Sequence, residues 1–377
     1  MAARGTLEGI WRQAVAACDP RQAVRAALVA EPLPQRAVTV IAIGKAAGAM
    51  AAGAAAALGE RMRAGIVVTV DGVVVEDVGL PVRRAGHPVP DLRSEAAGRE
   101  VMAVAAGVQP DDLLLALVSG GASALVAVPR DGLTLADKIE RTGLVARQGA
   151  PIAVLNRARS ELSAIKDGRL AALCPAPVRT LVVSDVPGDD VAVVGSGPTV
   201  PGKAGDVVRL VAGLATLRAE AAHAARAVGY RIEEQPAPLE GTVEDVARVV
   251  VAVAARLAAG SAWVAGGEWT VAVPVTAGVG GRAVHLALLV ARALDGVAGV
   301  QVLVAGSDGI DGSGPAAGAT IDGATWAALQ AAGIDGAHAI ASCDAGAALA
   351  AVGATIVSGP TGVNHADLVI VVRPRDR

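Results

Sequence analysis

The chain has 377 residues, of which 53% are hydrophobic, and a formal net charge of −3 at pH 7. Its apolar runs are interrupted by Gly, Ser, Asp or Arg, so no window offers the ~20 apolar residues that a membrane-spanning helix needs. No basic stripe suited to nucleic acid or to an anionic membrane is present, and we expect neither partner. The N-terminal segment lacks the apolar core of a signal peptide, which favours a cytoplasmic protein.

Cysteine usage and aromatic content limit the class of fold further. The three cysteines, Cys18, Cys174 and Cys343, are far apart, and the sequence contains no CxxC pair or Cys/His cluster. This spacing supports neither a disulfide framework nor a zinc site. Because the chain has no Phe and one Tyr, aliphatic side chains must fill the core.

In chain order, the first half repeats a short β-branched run, a Gly-rich turn and an Ala-rich helical stretch. Val38–Ile43 leads into a predicted helix over Ala46–Leu58, and Leu113–Val118 leads into one over Ala122–Val128. A third strand is predicted over Leu181–Ser184. Strands that alternate with helices predict βαβ units, and therefore an α/β fold with a mainly parallel sheet covered on both faces.

The pattern changes near residue 235, where Glu233–Glu240 has the composition of a surface connection. A helix is predicted over Val243–Ala258, followed by a hairpin-like pair over Ala262–Ala265 and Trp269–Val273. A last strand is predicted over Ala366–Val372. We therefore expect a smaller mixed α/β domain to follow the parallel one, with the two covering residues 1–245 and 246–377.

Lys45 follows the first predicted strand and opens the first predicted helix. Gly44 permits a tight turn, and the free amides of a helix start favour an anion, so a lysine there can hold a transferring phosphoryl group. The segment is not a Walker A loop, because Thr39 stands at the first Gly position and Ala46 replaces Ser or Thr. The alternative is an exposed lysine in the first turn of a helix.

Two further turns are rich in glycine and serine. Their backbone amides and hydroxyls can cradle a phosphate, although the spacing differs from that of a dinucleotide site. The alternative is an ordinary tight turn between a strand and a helix. The candidate phosphate-binding residues are Ser119, Gly120, Gly121, Ser123, Ser196 and Gly197.

Carboxylates follow two of the predicted strands. Asp185 and Asp189 lie in a loop after an apolar strand, where they suit Mg²⁺, which binds through one or two carboxylates plus substrate phosphates. The Pro-Gly pair in the same loop would also explain a plain turn. Asp308 and Asp311 follow a later strand, and Ile310 stands where a calcium loop needs an oxygen ligand, so calcium is not expected.

Arg282 follows a Gly-rich loop and precedes a predicted helix over Ala283–Leu294. A guanidinium group can clamp a phosphate or a carboxylate with two hydrogen bonds. The alternative is an arginine that makes surface contacts at a helix start. Since a cation there opposes the helix dipole unless an anion joins it, we favour a functional role. His87, in the turn Gly86-His87-Pro88, is interpreted as structural.

Taken together, Gly-rich loops, one lysine, one arginine and several aspartates are the equipment of phosphoryl transfer, in which positioning and charge neutralisation dominate. Ten segments in this order resemble the glycerate 2-kinase family, whose members carry a C-terminal MOFRL domain and are often labelled hydroxypyruvate reductase. The matching segments are residues 43–46, 86–90, 117–121, 162–166, 184–189, 196–199, 266–268, 280–282, 308–312 and 359–362.

The resemblance implies a Rossmann-like larger domain, a smaller MOFRL domain and an active site in the cleft between them. It implies ATP and Mg²⁺, with D-glycerate phosphorylated at its 2-hydroxyl, in a monomer or homodimer. Lys45 and Arg282 match the basic residues considered catalytic in the family. Metal binding is assigned to Asp185 and Asp189. Orientation of the substrate is assigned to Asn156, Lys166, Glu268 and Asp308.

The chain departs from the family pattern near these residues. Asp167 replaces a glycine after Lys166, and Ala283-Val284-His285 replaces Asn-Gln-Glu after the arginine. The segments at residues 312–315 and 363–366 differ as well. Two alternatives to the kinase therefore remain: an NAD(P)H-dependent hydroxypyruvate reductase, for which no dinucleotide fingerprint is present, and a catalytically impaired or designed relative that only binds nucleotide.

Overall fold

The computed structural model describes residues 2–147, 152–186 and 188–375. The helices are α1 Ala2–Ala17, α2 Pro20–Ala30, α3 Ala47–Leu58, α4 Leu92–Ala106, α5 Ala122–Leu125, α6 Leu135–Arg147, α7 Ile152–Glu161, α8 Arg169–Leu173, α9 Leu214–Ala227, α10 Val243–Arg256, α11 Arg282–Ala293, α12 Thr325–Ala331, α13 Gly336–Ala341 and α14 Ala345–Ala351. The strands are β1 Val38–Ile43, β2 Met62–Val70, β3 Val82–Ala85, β4 Leu113–Ser119, β5 Val178–Val183, β6 Val207–Ala212, β7 Arg231–Glu234, β8 Ser261–Gly267, β9 Gln301–Gly306, β10 Gly318–Asp322, β11 Thr355–Ile356 and β12 Asp367–Arg373.

The chain divides into two compact units. We call Asp19–Gly213 the parallel unit, and Met1–Cys18 together with Leu214–Arg377 the mixed unit. The predicted division into 1–245 and 246–377 does not coincide with them. The reason is that α1 packs against α9 and β9, and α9 packs against β7 and β8, so these early segments share the core of the C-terminal sheet.

The parallel unit is built on a sheet with the order β3-β2-β1-β4-β5-β6, in which neighbouring strands run parallel. Alternate residues of its central strands enter two different core clusters, with Ile41 and Ile43 in one and Val40 and Ala42 in the other. Both faces of the sheet are therefore covered, as the unbroken apolar run of β4 requires. The predicted α/β fold with a mainly parallel sheet is confirmed.

The mixed unit is built on a sheet with the order β11-β10-β9-β12-β8-β7. The strand β12 pairs antiparallel with both β8 and β9, whereas β7 and β8 run parallel. Its core clusters again use alternate residues, with Val369 and Val371 on one face and Leu368 and Ile370 on the other. The expected second, mixed α/β domain is thus confirmed.

Two local predictions are wrong. The hairpin after β8 does not form, because the segment from Trp269 does not return along β8; Thr270 instead makes an isolated parallel bridge with Thr242. The predicted helix over 122–128 is a single turn that ends at Leu125, and the chain then runs extended. In the described parts of the chain, no helix is long and apolar enough to cross a membrane.

Candidate active site

The parallel sheet reverses its strand order between β1 and β4. Ile43, the last residue of β1, pairs with Val118 near the end of β4, so the loops after both strands leave the sheet at the same edge. Open parallel sheets bind ligands outside the carboxyl ends of their strands at this kind of reversal. Lys45 and the segment Ser119–Gly121 therefore occupy the position at which the topology favours a ligand.

The loop that carries Lys45 is joined to the end of β4 by hydrogen bonds. The Lys45 amide donates to the Gly120 carbonyl at 2.9 Å, and the Ala46 amide donates to Ser119 Oγ at 3.1 Å. Gly44 has a φ of 132°, and a methyl group there would overlap Ser119, so only glycine fits. The Ser119 hydroxyl thus supports the loop of Lys45, a use that the prediction of phosphate binding did not include.

Lys45 is exposed and lies beside His87 and Gly121. A methyl group built on Gly121 would lie 3.1 Å from His87 Cδ2 and 3.2 Å from Lys45 Cγ, so the turn needs glycine to keep these side chains in place. Burial, and secondarily the positive charge of Lys45, lower the pKa of His87. His87, interpreted from the sequence as structural, therefore lies next to the principal candidate residue.

Asp185 and Asp189, the predicted metal ligands, lie against different glycines. The Asp185 carboxylate packs where a side chain on Gly120 would be, and the Asp189 carboxylate packs beside Gly213. In the parts of the chain that the structure describes, no group of three or more His, Cys, Asp or Glu side chains could hold a metal ion. A Mg²⁺ ion here would therefore depend on few carboxylates and on ligand phosphates, which is its usual mode of binding.

Lys166 is almost fully buried, with 2% of its surface exposed. Its backbone is held by the neighbouring glycine turn, because the Asp167 and Gly168 amides donate to the carbonyls of Ser196 and Gly197 at 3.2 and 2.8 Å. Lys166 Nζ donates to Ser123 Oγ, and Ser196 Oγ donates to the same Ser123 oxygen at 3.2 Å. The structure thus joins three residues that the sequence analysis had selected separately.

These residues line a cavity of about 450 Å³ in the parallel unit, together with His87, Gly121 and Asp185. Two further cations, Lys138 and Arg159, line the same cavity, and the sequence analysis did not single them out. In the sequence, both lie in helical segments and look like ordinary surface cations, so no local pattern marks them as cavity residues. Asn156, predicted to orient the substrate, belongs to α7, but its side chain is outside the described residues.

In the mixed unit, Arg282 begins helix α11 and is held by two carboxylates. Its Nε donates to Asp367 Oδ2 at 2.5 Å, and its Nη2 donates to Glu268 Oε1 at 2.8 Å. The Arg282 carbonyl accepts a hydrogen bond from Trp269 Nε1 at 3.0 Å. Glu268 and Asp367 thus supply, from within the protein, the negative charge that a cation at a helix start requires.

Asp311 caps the same helix from a separate loop. Its Oδ1 accepts from the Ala283 amide at 3.1 Å and its Oδ2 accepts from the Val284 amide at 2.7 Å. A methyl group on Gly281 would overlap the Asp311 carboxylate, so the glycine allows this close approach. The Gly-rich loop before Arg282 therefore brings the helix start and the loop after β9 together.

Asp367 begins β12 and was not selected from the sequence. It is 4% exposed, and burial raises the pKa of Asp367 to about 7 against the opposing effect of Arg282. Asp311 and Glu268 add negative charge nearby and act in the same direction as burial. A sequence signal did exist, because Asp367 is an acid at the head of the apolar run Leu368–Val372. The structure pairs it across the sheet with Gly267 and Gly306.

A cavity of about 770 Å³ in the mixed unit is lined by Arg282, Asp308, Asp311 and Asp367. Asp308 is exposed, and its Oδ1 accepts from the Ile310 amide at 3.1 Å. His285 and Ala366, two of the residues that depart from the family pattern, also line this cavity. The predicted residues of the C-terminal half, apart from Glu268, thus meet at one cavity.

Comparisons with known proteins agree with this architecture. The family described as a domain of unknown function, DUF4147, matches residues 6–229, and the MOFRL family matches residues 261–367. A relative from Agrobacterium vitis, whose name refers to hydroxypyruvate reductase, is 36% identical over 98% of this chain and 94% of its own length. The D-glycerate 2-kinase of Thermotoga maritima is 32% identical over 96% of both chains.

A solved structure extends the likeness to the whole fold. The crystal structure of a glycerate kinase from Thermotoga maritima is 31% identical, superposes with a TM-score of 0.93 and covers 99% of each chain. The family matches, the full-length similarity and the shared fold agree with one another. The chain therefore belongs to the glycerate kinase family with a MOFRL domain, a family of phosphotransferases.

Proposed function

We propose that this protein is an ATP-dependent glycerate 2-kinase that phosphorylates D-glycerate on its 2-hydroxyl with the help of Mg²⁺. The observation that carries the proposal is Lys45, held at the reversal of the parallel sheet by hydrogen bonds from the end of the neighbouring strand. A cation at this position suits a phosphate group. The choice of glycerate as the acceptor of the phosphoryl group rests on the relatives named glycerate 2-kinase.

In the proposed reaction, the 2-hydroxyl oxygen forms a bond to the γ-phosphorus while the bond from that phosphorus to ADP breaks. The products are 2-phosphoglycerate and ADP, and the hydroxyl proton passes to a carboxylate. The structure favours Asp308 over Glu268 for this task, since Glu268 is ion-paired with Arg282 whereas Asp308 is exposed in the cavity of the mixed unit. A base needs such access to the proton that it accepts.

Lys45 is assigned to the γ-phosphoryl group and Arg282 to the carboxylate of glycerate. Glu268 and Asp367 engage Nη2 and Nε of Arg282, which leaves the remaining guanidinium N–H groups for a ligand. The two acids also orient the group, so that less conformational freedom is lost when a carboxylate binds. Both residues stabilise negative charge that develops during transfer.

The residues that would hold Mg²⁺ are Asp185 and Asp189, whose carboxylate oxygens are of the type this ion prefers. Asp185 lines the cavity of the parallel unit, which suits an ion shared with ligand phosphates. When bound, the ion neutralises phosphate charge during transfer. The protein's part is to hold the Asp185 carboxylate beside Gly120, at the end of β4.

The proposal is tested by ADP release with D-glycerate, ATP and Mg²⁺, with the phosphorylated position of the product identified by NMR. A Lys45→Ala variant is expected to lose roughly 10²–10³-fold in kcat, the usual cost of removing one stabilising donor. Arg63→Ala is the matched control, because Arg63 is an exposed cation near the amino end of β2 in the same unit. Equal activity of the two variants would exclude the role of Lys45.

A hydroxypyruvate reductase is the second candidate, favoured by the name of the Agrobacterium vitis relative. The strand order is one that dinucleotide-binding domains use, but the loop after β1 reads Gly44-Lys45-Ala46 and lacks their glycine fingerprint. NADH oxidation with hydroxypyruvate separates the two activities. ATP-dependent thermal stabilisation without ADP release would instead indicate a relative that only binds nucleotide.

A further inference from the structure

The cavity of the parallel unit contains an unusual concentration of buried positive charge. Lys138, Arg159 and Lys166 all line it, and the two lysines are 4% and 2% exposed. A buried ammonium group is costly unless a counter-charge or hydrogen bonds compensate it. Burial of these charged groups in the cavity therefore costs free energy that some other interaction must offset.

The protein itself does not neutralise these lysines. Lys138 Nζ is buried and has no hydrogen-bond partner among the described residues, and neither lysine forms an ion pair within that part of the chain. Lys166 Nζ donates to Ser123 Oγ, a neutral acceptor. An unpartnered ammonium group that is more than nine-tenths buried indicates that a partner is supplied from outside the chain.

The electrostatics of the cluster agree with this reading. Burial, followed by the charges of Lys138 and Arg159, lowers the pKa of Lys166 well below its usual value. Burial, followed by the charge of Arg169, lowers the pKa of Lys138 to about 8. A bound anion would reverse both effects, because an opposite charge nearby favours the protonated lysine.

We propose that this cavity is a binding site for a small oxyanion, a carboxylate or a phosphate group, held by Lys138, Arg159 and Lys166. The hydroxyls of Ser123 and Ser196 add donors to the same site. The source of the anion, glycerate or the phosphates of ATP, rests on the proposed kinase function, whereas the positive charge of the site does not.

The position of the cavity connects it with Lys45. His87 lines the cavity and packs against the same Gly121 as the Lys45 side chain, and Asp185 lines it beside Gly120. An anion bound by the three cations would therefore lie near the edge of the sheet where the strand order reverses. This placement fits a ligand that takes part in the transfer better than one bound at a remote regulatory site.

Isothermal titration calorimetry of the full chain tests the proposal, with inorganic phosphate, D-glycerate and ADP as separate probes. Lys138→Met keeps the aliphatic stem and removes the charge. We expect it to lower the affinity for the probe that binds roughly tenfold or more. Arg141→Met is the matched control, since Arg141 is an exposed cation on the same helix and does not line the cavity. Lys166→Met should act like Lys138→Met.

The same titrations carry a second readout, the uptake of protons. Run at pH 8 in buffers of different ionisation enthalpy, binding should take up protons as Lys138 regains its charge, and Lys138→Met should reduce this uptake. The charged and titratable groups around Lys138 are His87, Arg159, Lys166, Arg169 and Asp185. Proton uptake that is unchanged in Lys138→Met would count against the site.

The pattern across probes identifies the source of the anion. If Lys138→Met weakens binding of D-glycerate alone, the anion is a carboxylate, and the carboxylate of glycerate is then assigned to this site in place of Arg282. If it weakens binding of phosphate and ADP, the anion is a phosphate. The proposal is overturned if none of the probes binds the wild-type chain at millimolar concentration, or if Lys138→Met changes each affinity no more than Arg141→Met does. Thermal melting shows that the variant is folded, since removing a buried unpaired charge should leave Tm equal or higher.

Failure of this site can be told apart from failure of the proposed function. A protein that binds phosphate through Lys138 yet releases no ADP with D-glycerate would keep the site and lose the kinase assignment. A protein that phosphorylates D-glycerate with unchanged affinities in Lys138→Met would keep the kinase and lose the site.

Discussion

At the scale of single residues, Gly120 shows how a missing side chain leaves room for a candidate metal ligand. The Asp185 carboxylate occupies the space that a methyl group on Gly120 would need. A Gly120→Ala substitution should therefore displace Asp185 and lower kinase activity by roughly 10²-fold, as displacement of a catalytic group by about 1 Å can do. Steady-state kinetics and a circular dichroism spectrum would check activity and fold together.

Gly107→Ala provides the control for this prediction. Gly107 ends helix α4 with an ordinary φ of −84°, and a methyl group there would lie 3.3 Å from the nearest atom, the Ala103 carbonyl oxygen. We expect this variant to keep its activity. Full activity of Gly120→Ala would show that the position of Asp185 does not matter for turnover.

Asp367 should make the stability of the mixed unit depend on pH. Because burial raises the pKa of Asp367 from 3.8 to about 7, the folded state holds a proton that the unfolded state releases between these values. The contribution of Asp367 to stability is therefore present at low pH and is lost as pH rises through about 7. An Asp367→Asn variant should show a smaller fall in stability between pH 5 and pH 8 than the wild type.

Urea unfolding at several pH values, followed by tryptophan fluorescence, measures this difference. Arg282 is also ion-paired with Glu268, a contact that the substitution does not touch, so we expect the comparison to isolate the titration of Asp367. An identical change in unfolding free energy with pH for the two proteins would contradict the assignment.

At the scale of secondary-structure elements, helix α11 depends on a cap from outside its own segment. Asp311 accepts hydrogen bonds from the Ala283 and Val284 amides, groups that would otherwise be buried without partners. We expect Asp311→Ala to lower the free energy of unfolding by about 1–3 kcal/mol and Asp311→Asn to lower it less. Thermal and urea unfolding would measure both.

Asp335→Ala is the matched control for this cap. Asp335 accepts from the His338 amide at 2.9 Å at the start of the short helix α13, but it is exposed to solvent. Water can replace an exposed cap, so its loss should cost less than the loss of Asp311. If Asp311→Ala and Asp335→Ala lowered the free energy of unfolding equally, the burial of Asp311 would add nothing to its stabilising effect.

The elements also show which predictions the sequence could support. The strand from Val38 and the helix that follows Lys45 were predicted within a residue, because a buried parallel strand is one unbroken apolar run. The hairpin after β8 was wrong, since alternation from Trp269 onward indicates a strand but not its partner. That segment bridges instead to Thr242, a long-range contact that local patterns do not contain.

At the scale of the whole molecule, the aromatic residues are unevenly distributed. The chain has four Trp, one Tyr and no Phe, and all of the aromatic residues, from Trp11 to Trp326, fall in the mixed unit. Tryptophan fluorescence should therefore report the unfolding of the mixed unit, whereas far-UV circular dichroism reports both units. Trp11→Ala should lower the fluorescence-detected stability by about 3–5 kcal/mol, because Trp11 is 1% exposed in that core.

Leu115→Ala is the companion variant for this prediction. Leu115 is fully buried in β4 of the parallel unit, so its loss should move the circular dichroism transition and leave the fluorescence midpoint in place. Each unit has its own core, which is the usual condition for separate unfolding. Equal shifts of both signals in both variants would instead show that the units unfold as one.

The sequence by itself indicated alternating strands and helices in the first half, the parallel character of the first sheet and Lys45 as a candidate residue. These follow from local patterns, since an apolar run, a glycine turn and a helix start lie within a few residues of each other. Only the tertiary structure decided that α1 belongs to the mixed unit, that Asp367 holds Arg282, and that Lys138 and Arg159 share a cavity with Lys166. Burial and charge pairing arise between residues far apart in the chain, so they appear only once it is folded.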